Sequence, residues 1–252
     1  MNSHKQIKPV FKPAIAGFAL VVLSLLAAMS GPLGGRMGWW NFEDAGTIVK
    51  WAAYSGAFSS LLCLTGLIAA RPGGKWRGFT LSLVGVLIVG SLITYLQMWK
   101  DVKVNLPPIS DITTNTENPP DFWNAPNSRV YGGFETATWQ QEAYPDIKPL
   151  ILPIAATRAY DLALELVRKQ GWQLWSPSRE DLHIEATAKT FWFGFSDDVV
   201  IHITALTANS SRVDMRSTSR SGGTSSDAGT NARRIRHFLK ALKQSAVGSG
   251  NT

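Results

Sequence analysis

VDMRSTSRSGGTSSDAGTNARRIR, residues 213–236, alternates and then changes period. Val213 and Met215 are apolar while Arg212, Asp214 and Arg216 are charged, the period-two signature of a strand with one buried face. The Gly/Ser-rich residues after Arg220 form a turn. Asp227 or Thr230 can then cap a helix whose apolar positions are Ile235, Phe238, Leu239 and Leu242. A strand that turns into an amphipathic helix is the closing unit of an α+β domain, and the preceding elements fit it.

Residues 147–154 supply a short strand limited by Pro149 and Pro153. Residues 155–170 place Ala159, Leu162, Ala163, Leu166 and Val167 on one helical face, stopped by Gly171. A short strand over 172–175 follows. Leu182, Ile184, Ala186 and Ala188 then alternate with His183, Glu185, Thr187 and Lys189, a half-buried strand. A further strand covers 199–206, with a hairpin connection at 208–211. Strands joined by short turns give an antiparallel sheet with two helices on one face, leaving the other face polar and open. The predicted class is α+β, in a domain spanning 149–244 with a disordered tail at 245–252.

The chain before this domain is of another kind. Three apolar runs, about 11–30, 48–70 and 77–99, each approach the roughly 20 residues that cross a bilayer. Trp39, Trp40, Trp51, Trp76 and Trp99 lie at their ends, as an interfacial aromatic belt requires. Residues 1–103 therefore read as a three-helix membrane anchor. Residues 1–100 carry nine basic and two acidic side chains, whereas 101–252 carry sixteen of each sign, so the net charge of +7 belongs to the apolar half. That pattern belongs to membrane topology and argues against nucleic-acid binding. Lys5, Lys8, Lys12, Arg71, Lys75 and Arg77 place the N-terminus inside and the C-terminal domain outside. The first run could alternatively be a cleaved signal peptide. Ser55, Gly56, Ser59 and Ser60 suit close helix packing. No Asp, Glu or His lies deep in a span, which argues against a channel or pump.

Between anchor and domain, residues 104–148 are rich in Pro, Asn and Thr and read as an extended arm, ordered mainly by packing Ile109, Ile112, Phe122 and Trp123 onto a neighbour. Residues 101–150 carry a net charge of −4, and 212–243 carry +6, so arm and C-terminal region can attract each other.

For chemistry, Asp197, Asp198, Asp214, Arg216, Arg220 and Asn231 are the candidate ligand-binding residues. Arginine forks grip carboxylates or phosphates, and a helix start favours anions. The competing reading is a structural network in which Asp197 and Asp198, placed on a turn, pair with Arg216 and Arg220. His183, Glu185 and His202 share the outward face if their strands pair, so a metal site is the second candidate. The single cysteine, Cys63, lies in an apolar run, and no nucleophile elbow, P-loop or dinucleotide fingerprint occurs. No cofactor and no catalytic residue is therefore expected. The basic last helix could touch anionic lipid, but its apolar face has the width of ordinary core packing.

Four segments carry a resemblance: PPISDITT at 107–114, FSDD at 195–198, DMRSTSR at 214–220 and DAGTNARRI at 227–235. Together they are similar to the DUF1499 family, a family of unknown function found in bacteria and some plastid-bearing lineages, over about 105–243. The resemblance implies no activity. The expectation is a bacterial inner-membrane protein whose periplasmic domain binds or scaffolds an envelope component: a protein, a lipid or an anionic small molecule. The alternative is an envelope enzyme, or an anionic-ligand or lipid-binding protein, using the Asp/Arg surface.

Overall fold

The structure, a computed structural model, describes residues 12–69, 76–126, 130–220 and 226–248. The chain divides into two compact units, Met1–Asp101 with Trp192–Gly194 and Val102–Phe191 with Phe195–Thr252.

Helices α1 (Lys12–Met37), α2 (Phe42–Ala69) and α3 (Trp76–Asn105) make up the N-terminal part. Each holds a segment long and apolar enough to cross a membrane: Lys12–Met37, Glu43–Ile68 and Gly78–Met98. Lys5, Lys8, Arg71 and Lys75 lie outside the described residues. Helix α1 continues through Gly31 and Pro32, where the sequence predicts its end. A proline removes one helical donor, but abandoning the helix in lipid would leave several backbone groups unpaired. Trp40 folds back and its indole Nε1 donates to the Gly31 carbonyl at 2.9 Å. The small residues serve contact between α1 and α2. The Ser24 and Ser55 hydroxyls hydrogen-bond to each other. A Cβ added at Gly17 would come within 3.0 Å of Cys63 Sγ.

The second unit is built on an antiparallel sheet, six-stranded among the described residues: β1 (Asp111–Thr113), β2 (Leu150–Leu152), β3 (Gln173–Leu174), β4 (His183–Lys189), β5 (Ser196–Thr207) and β6 (Ser210–Ser219). Their order is β1-β6-β5-β4-β3, with β2 also paired to β6. Three helices accompany it: α4 (Gly133–Ala143), α5 (Ala156–Lys169) and α6 (Thr230–Gly248). Ala159, Ala163 and Val167 of α5 and Ile235, Phe238 and Leu242 of α6 share one core with Ile184, Ile201, Val213 and Met215 of the sheet. Those sheet residues lie on one face by the period-two rule, so α5 and α6 cover one face as the sequence predicts. Gly171, at φ +68°, takes the left-handed turn that ends α5.

Two expectations fail here. Helix α6 runs to Gly248 because Ala246 is buried, so 245–248 are helical; residues 249–252 lie outside the described residues. The second correction concerns the arm. Its residues 111–113 form β1, antiparallel to β6, with Asp111 opposite Thr218 and Thr113 opposite Arg216. Helix α4 lies farther along it, and the face predicted to be open is covered.

Candidate functional site

Asp197 and Asp198 are in β5, not on a turn, and both are buried. Neighbouring residues of a strand point to opposite faces. Register then assigns every candidate. Asp198 lies opposite Thr218 and Thr187, and His202 opposite Asp214 and His183. Asp198, Asp214, Arg216 and Arg220 therefore belong to the arm face, with His183, Glu185 and His202. Asp197 belongs to the helix face, where Asn231 opens α6. The six predicted ligand residues are divided between the two faces of the sheet.

On the arm face the centre is Arg216, which is fully buried. Its Nε and Nη2 donate to the two oxygens of Asp111 at 2.9 and 2.8 Å. Nη1 donates to the Pro120 carbonyl at 3.2 Å. The guanidinium carbon lies 5.2 Å from the Phe122 ring and 5.6 Å from the Tyr131 ring, within cation–π range. Burial first, then the charge of Asp111, pushes the Tyr131 phenol far above its ordinary range, so it stays protonated. The partner predicted for Arg216 was Asp197 or Asp198; it is Asp111, 105 positions away in the chain.

Two further contacts fasten the same face. Arg220 Nε and Nη2 donate to Asp198 at 3.1 and 2.6 Å, and Thr187 Oγ1 donates to that carboxylate at 2.6 Å. Asp214 accepts from Thr114 Oγ1 at 3.2 Å and pairs with Arg212 at 2.8 Å. At the outer edge of β1, the Gln140 amide of α4 mimics a neighbouring strand. It accepts from Thr113 N at 2.9 Å and donates to Thr113 O at 2.6 Å. An edge strand so short would otherwise expose unpaired backbone.

On the helix face, Arg234 Nη2 donates to Asp197 at 2.5 Å and its Nη1 to Ser217 Oγ at 3.0 Å. Asn231 donates to Ser110 O at 2.9 Å and Ser219 Oγ at 3.0 Å, while its own carbonyl oxygen accepts from Ser217 at 2.7 Å. This ties the start of α6 to β1 and β6. Asp227 accepts from the backbone N–H of Asn231 and Gly229 at 2.6 and 2.8 Å, satisfying donors at the helix start. Burial nonetheless raises its pKa. Asp227→Ala is expected to cost about 1 kcal/mol. Amide exchange of the first turn of α6 should accelerate accordingly, and Asp227→Asn should lose less.

The three metal candidates do come together, but Glu185 is already engaged. Its carboxylate accepts from the successive backbone N–H groups of Trp123, Asn124 and Ala125 at 2.5, 2.9 and 2.6 Å. Its Oε1 also lies 2.9 Å from His183 Nε2. Trp123 stacks on His183 with ring centroids 3.7 Å apart. Burial alone would raise the Glu185 pKa, but the His183 contact and the three N–H bonds outweigh it and hold the carboxyl below its usual range. Burial and the neighbouring His183 lower the His202 pKa. Among the described residues no group of three or more His, Cys, Asp or Glu is arranged to hold a metal ion. His183 and Glu185 of the candidate metal site instead anchor the arm.

Gln140, Tyr131 and Arg234 carry no sequence signal as site residues, whereas the arm's Ile109, Ile112, Phe122 and Trp123 do pack as expected, the first two in the core, Phe122 against Arg216 and Trp123 on His183. The opposite charges of arm and C-terminal region also pointed toward such contacts, and Asp111–Arg216 and Asp146–Arg236 are two pairs of that kind. Chemically, the arrangement binds the chain to itself: arginine forks hold carboxylates, and a carboxylate holds backbone N–H groups. Comparison with curated proteins gave no match. The family model described as "Protein of unknown function (DUF1499)" matches residues 111–242, which run from β1 into α6 and take in arm, sheet and both networks. The chain belongs to the DUF1499 family.

Proposed function

We propose that this is a bacterial inner-membrane protein, with a cytoplasmic N-terminus and a periplasmic domain that binds or scaffolds an envelope component and does not catalyse. The orientation rests on the basic residues at 5, 8, 12, 71, 75 and 77. One observation carries the binding reading. The polar candidates are engaged in contacts within the fold, while apolar side chains of the arm region stay open: Val130 is 90% exposed and Phe134 89%. Exposed apolar side chains on a folded surface suit contact with a partner better than solvent.

A photo-crosslinking amino acid at Phe134 of the full chain, activated in cells, tests this. One discrete adduct is expected, lost when Val130→Asp is added; no adduct above that of an exposed polar position such as Asn209 would sink the reading. Fusions at the C-terminus test the orientation: alkaline phosphatase should be active and a cytoplasm-dependent fluorescent protein dark.

A second reading, a site for an anionic small molecule or lipid, has Arg220 in its favour. Its side chain keeps 35% exposure beside the buried Asp198. Arg220→Ala separates the two readings, since loss of a cellular phenotype with the Phe134 adduct intact would favour the anion site.

A further inference from the structure

The register lines up three polar side chains at one end of the arm face. Lys189 pairs with Ser196, and the Arg220 N–H donates to the Ser196 carbonyl at 3.0 Å, so the three stand abreast on β4, β5 and the end of β6. Alternation from Thr187 and Asp198 puts Lys189 and Ser196 on the same face as Arg220. Strands β4 and β6 are two spacings apart, about 10 Å, which lets a lysine and an arginine side chain meet over the serine between them.

Arg220 is held ready. Its Nε and Nη2 grip Asp198, Nη2 also donates to Thr187 Oγ1 at 2.9 Å, and that hydroxyl accepts the Trp175 indole N–H at 2.7 Å. The fork is thus fixed in orientation, while Nη1 has no hydrogen-bond partner among the described residues. A donor already immobilised loses little freedom when a ligand takes its remaining N–H groups. Lys189 is exposed and makes no ion pair among the described residues, and the Ser196 hydroxyl makes no hydrogen bond among them. The carboxylates nearby are taken, Asp198 by Arg220 and Asp111 by Arg216, so the row keeps a net positive charge.

A second observation lies in the next row inward. Thr218, opposite both Asp111 and Asp198, is fully buried, and its Oγ1 has no hydrogen-bond partner. Such hydroxyls are rare in folded proteins. Thr218 is two residues from Arg220 on the same face of one strand, so one group with several oxygens can serve both. The Arg220 fork already holds a planar carboxylate. What remains is a single guanidinium edge, an ammonium and two hydroxyls, approaching from different directions. A tetrahedral phosphate presents oxygens in all of these directions, whereas a second carboxylate has two in one plane.

We propose that Lys189, Ser196 and Arg220 bind a phosphate ester, with Thr218 donating to one of its oxygens. This rests on the second reading above, the anion site at Arg220, and names its ligand class. The test is calorimetric titration of the full chain in an uncharged detergent at low salt, with glycerol 1-phosphate as the probe and glutarate as the carboxylate comparison. Saturable binding of the phosphate is expected, weakened about tenfold or more by Lys189→Glu, which turns an attraction into a repulsion. Lys148→Glu, at another exposed lysine, should change it little. Ser196→Ala should weaken it less than Lys189→Glu does. Both Lys189→Glu and Ser196→Ala leave the Asp198–Arg220 pair in place, so the outcome does not hang on a variant with a buried unpaired aspartate. Equal effects of the two lysine reversals would overturn the proposal. Saturable binding of glutarate and not of the phosphate would also overturn it while leaving the anion site standing; binding of neither probe removes both. Glycerophosphoglycerol, a lipid headgroup phosphodiester without its acyl chains, separates the two sources within the proposal: displacement of glycerol 1-phosphate assigns a headgroup, and no displacement a free monoester.

Discussion

Arg216→Ala is expected to lower the stability of the domain by about 3–5 kcal/mol, the cost of removing one partner from a buried ion pair. The substitution leaves Asp111 without its two donors and the Pro120 carbonyl without Nη1. It also removes the cation between Phe122 and Tyr131 and opens a cavity under the arm. Arg216→Lys should recover little, because an ammonium cannot bridge both Asp111 oxygens while also reaching Pro120. Hydrogen exchange of the full chain in detergent reads the loss: amides of β1 and β6 should exchange together, and those of α1 and α2 should be unchanged. A folded Arg216→Ala domain with unaltered exchange would show that the residue is not structural.

Glu185→Ala should act at the other end of the arm. Three successive backbone donors and His183 lose their acceptor at once, and a hydrogen bond to a charged group is worth about 1.5–3 kcal/mol. A loss of about 3 kcal/mol is expected, concentrated in the exchange of residues 123–125 and in the stacking of Trp123. Glu185→Gln should rescue only in part, since its NH2 group faces donors. The pH dependence has a definite sign. A carboxyl whose folded pKa is depressed contributes stability above its unfolded value, near 4.3, and loses it as pH falls through the folded value. Protection at 123–125 should therefore persist at pH 5 and fail only in stronger acid.

These two contacts also explain what the sequence could and could not disclose. Helix α5 was legible because Ala159, Ala163 and Val167 recur at helical spacing, and β4 because Ile184, Ala186 and Ala188 alternate with polar residues. Both patterns are local, and burial follows from them. The arm has no such pattern. Its order comes from Glu185 reaching residues 60–62 positions away and Arg216 reaching Asp111 at 105. No window of neighbouring residues contains that information. Its prolines and asparagines correctly exclude a long helix or central strand, but they say nothing about whether the segment has a surface to bind.

The expected pairing of Asp198 with Arg220 is present, but the turn placement of the aspartate pair failed for a related reason. Two adjacent acids after Phe-Gly-Phe look like a solvated turn, since charged residues are seldom fully buried unless paired. Here each is paired, Asp198 with Arg220 and Asp197 with Arg234, on opposite faces of one strand. The outward polar positions of β4, β5 and β6 were read correctly as a shared face. Their exposure was misjudged, because alternation distinguishes the two faces of a sheet and does not tell whether the polar one is wet.

Asp111 and Arg216 close the arm over the sheet as one cooperative unit. A double-mutant cycle tests it most directly: Asp111→Ala, Arg216→Ala and the double variant of the full chain, with the opening free energy of residues 111–126 read from amide exchange. Coupling of about 2 kcal/mol or more is expected, the double variant losing much less than the two single losses combined. Additive losses, or arm amides unprotected in the parent chain, would contradict it.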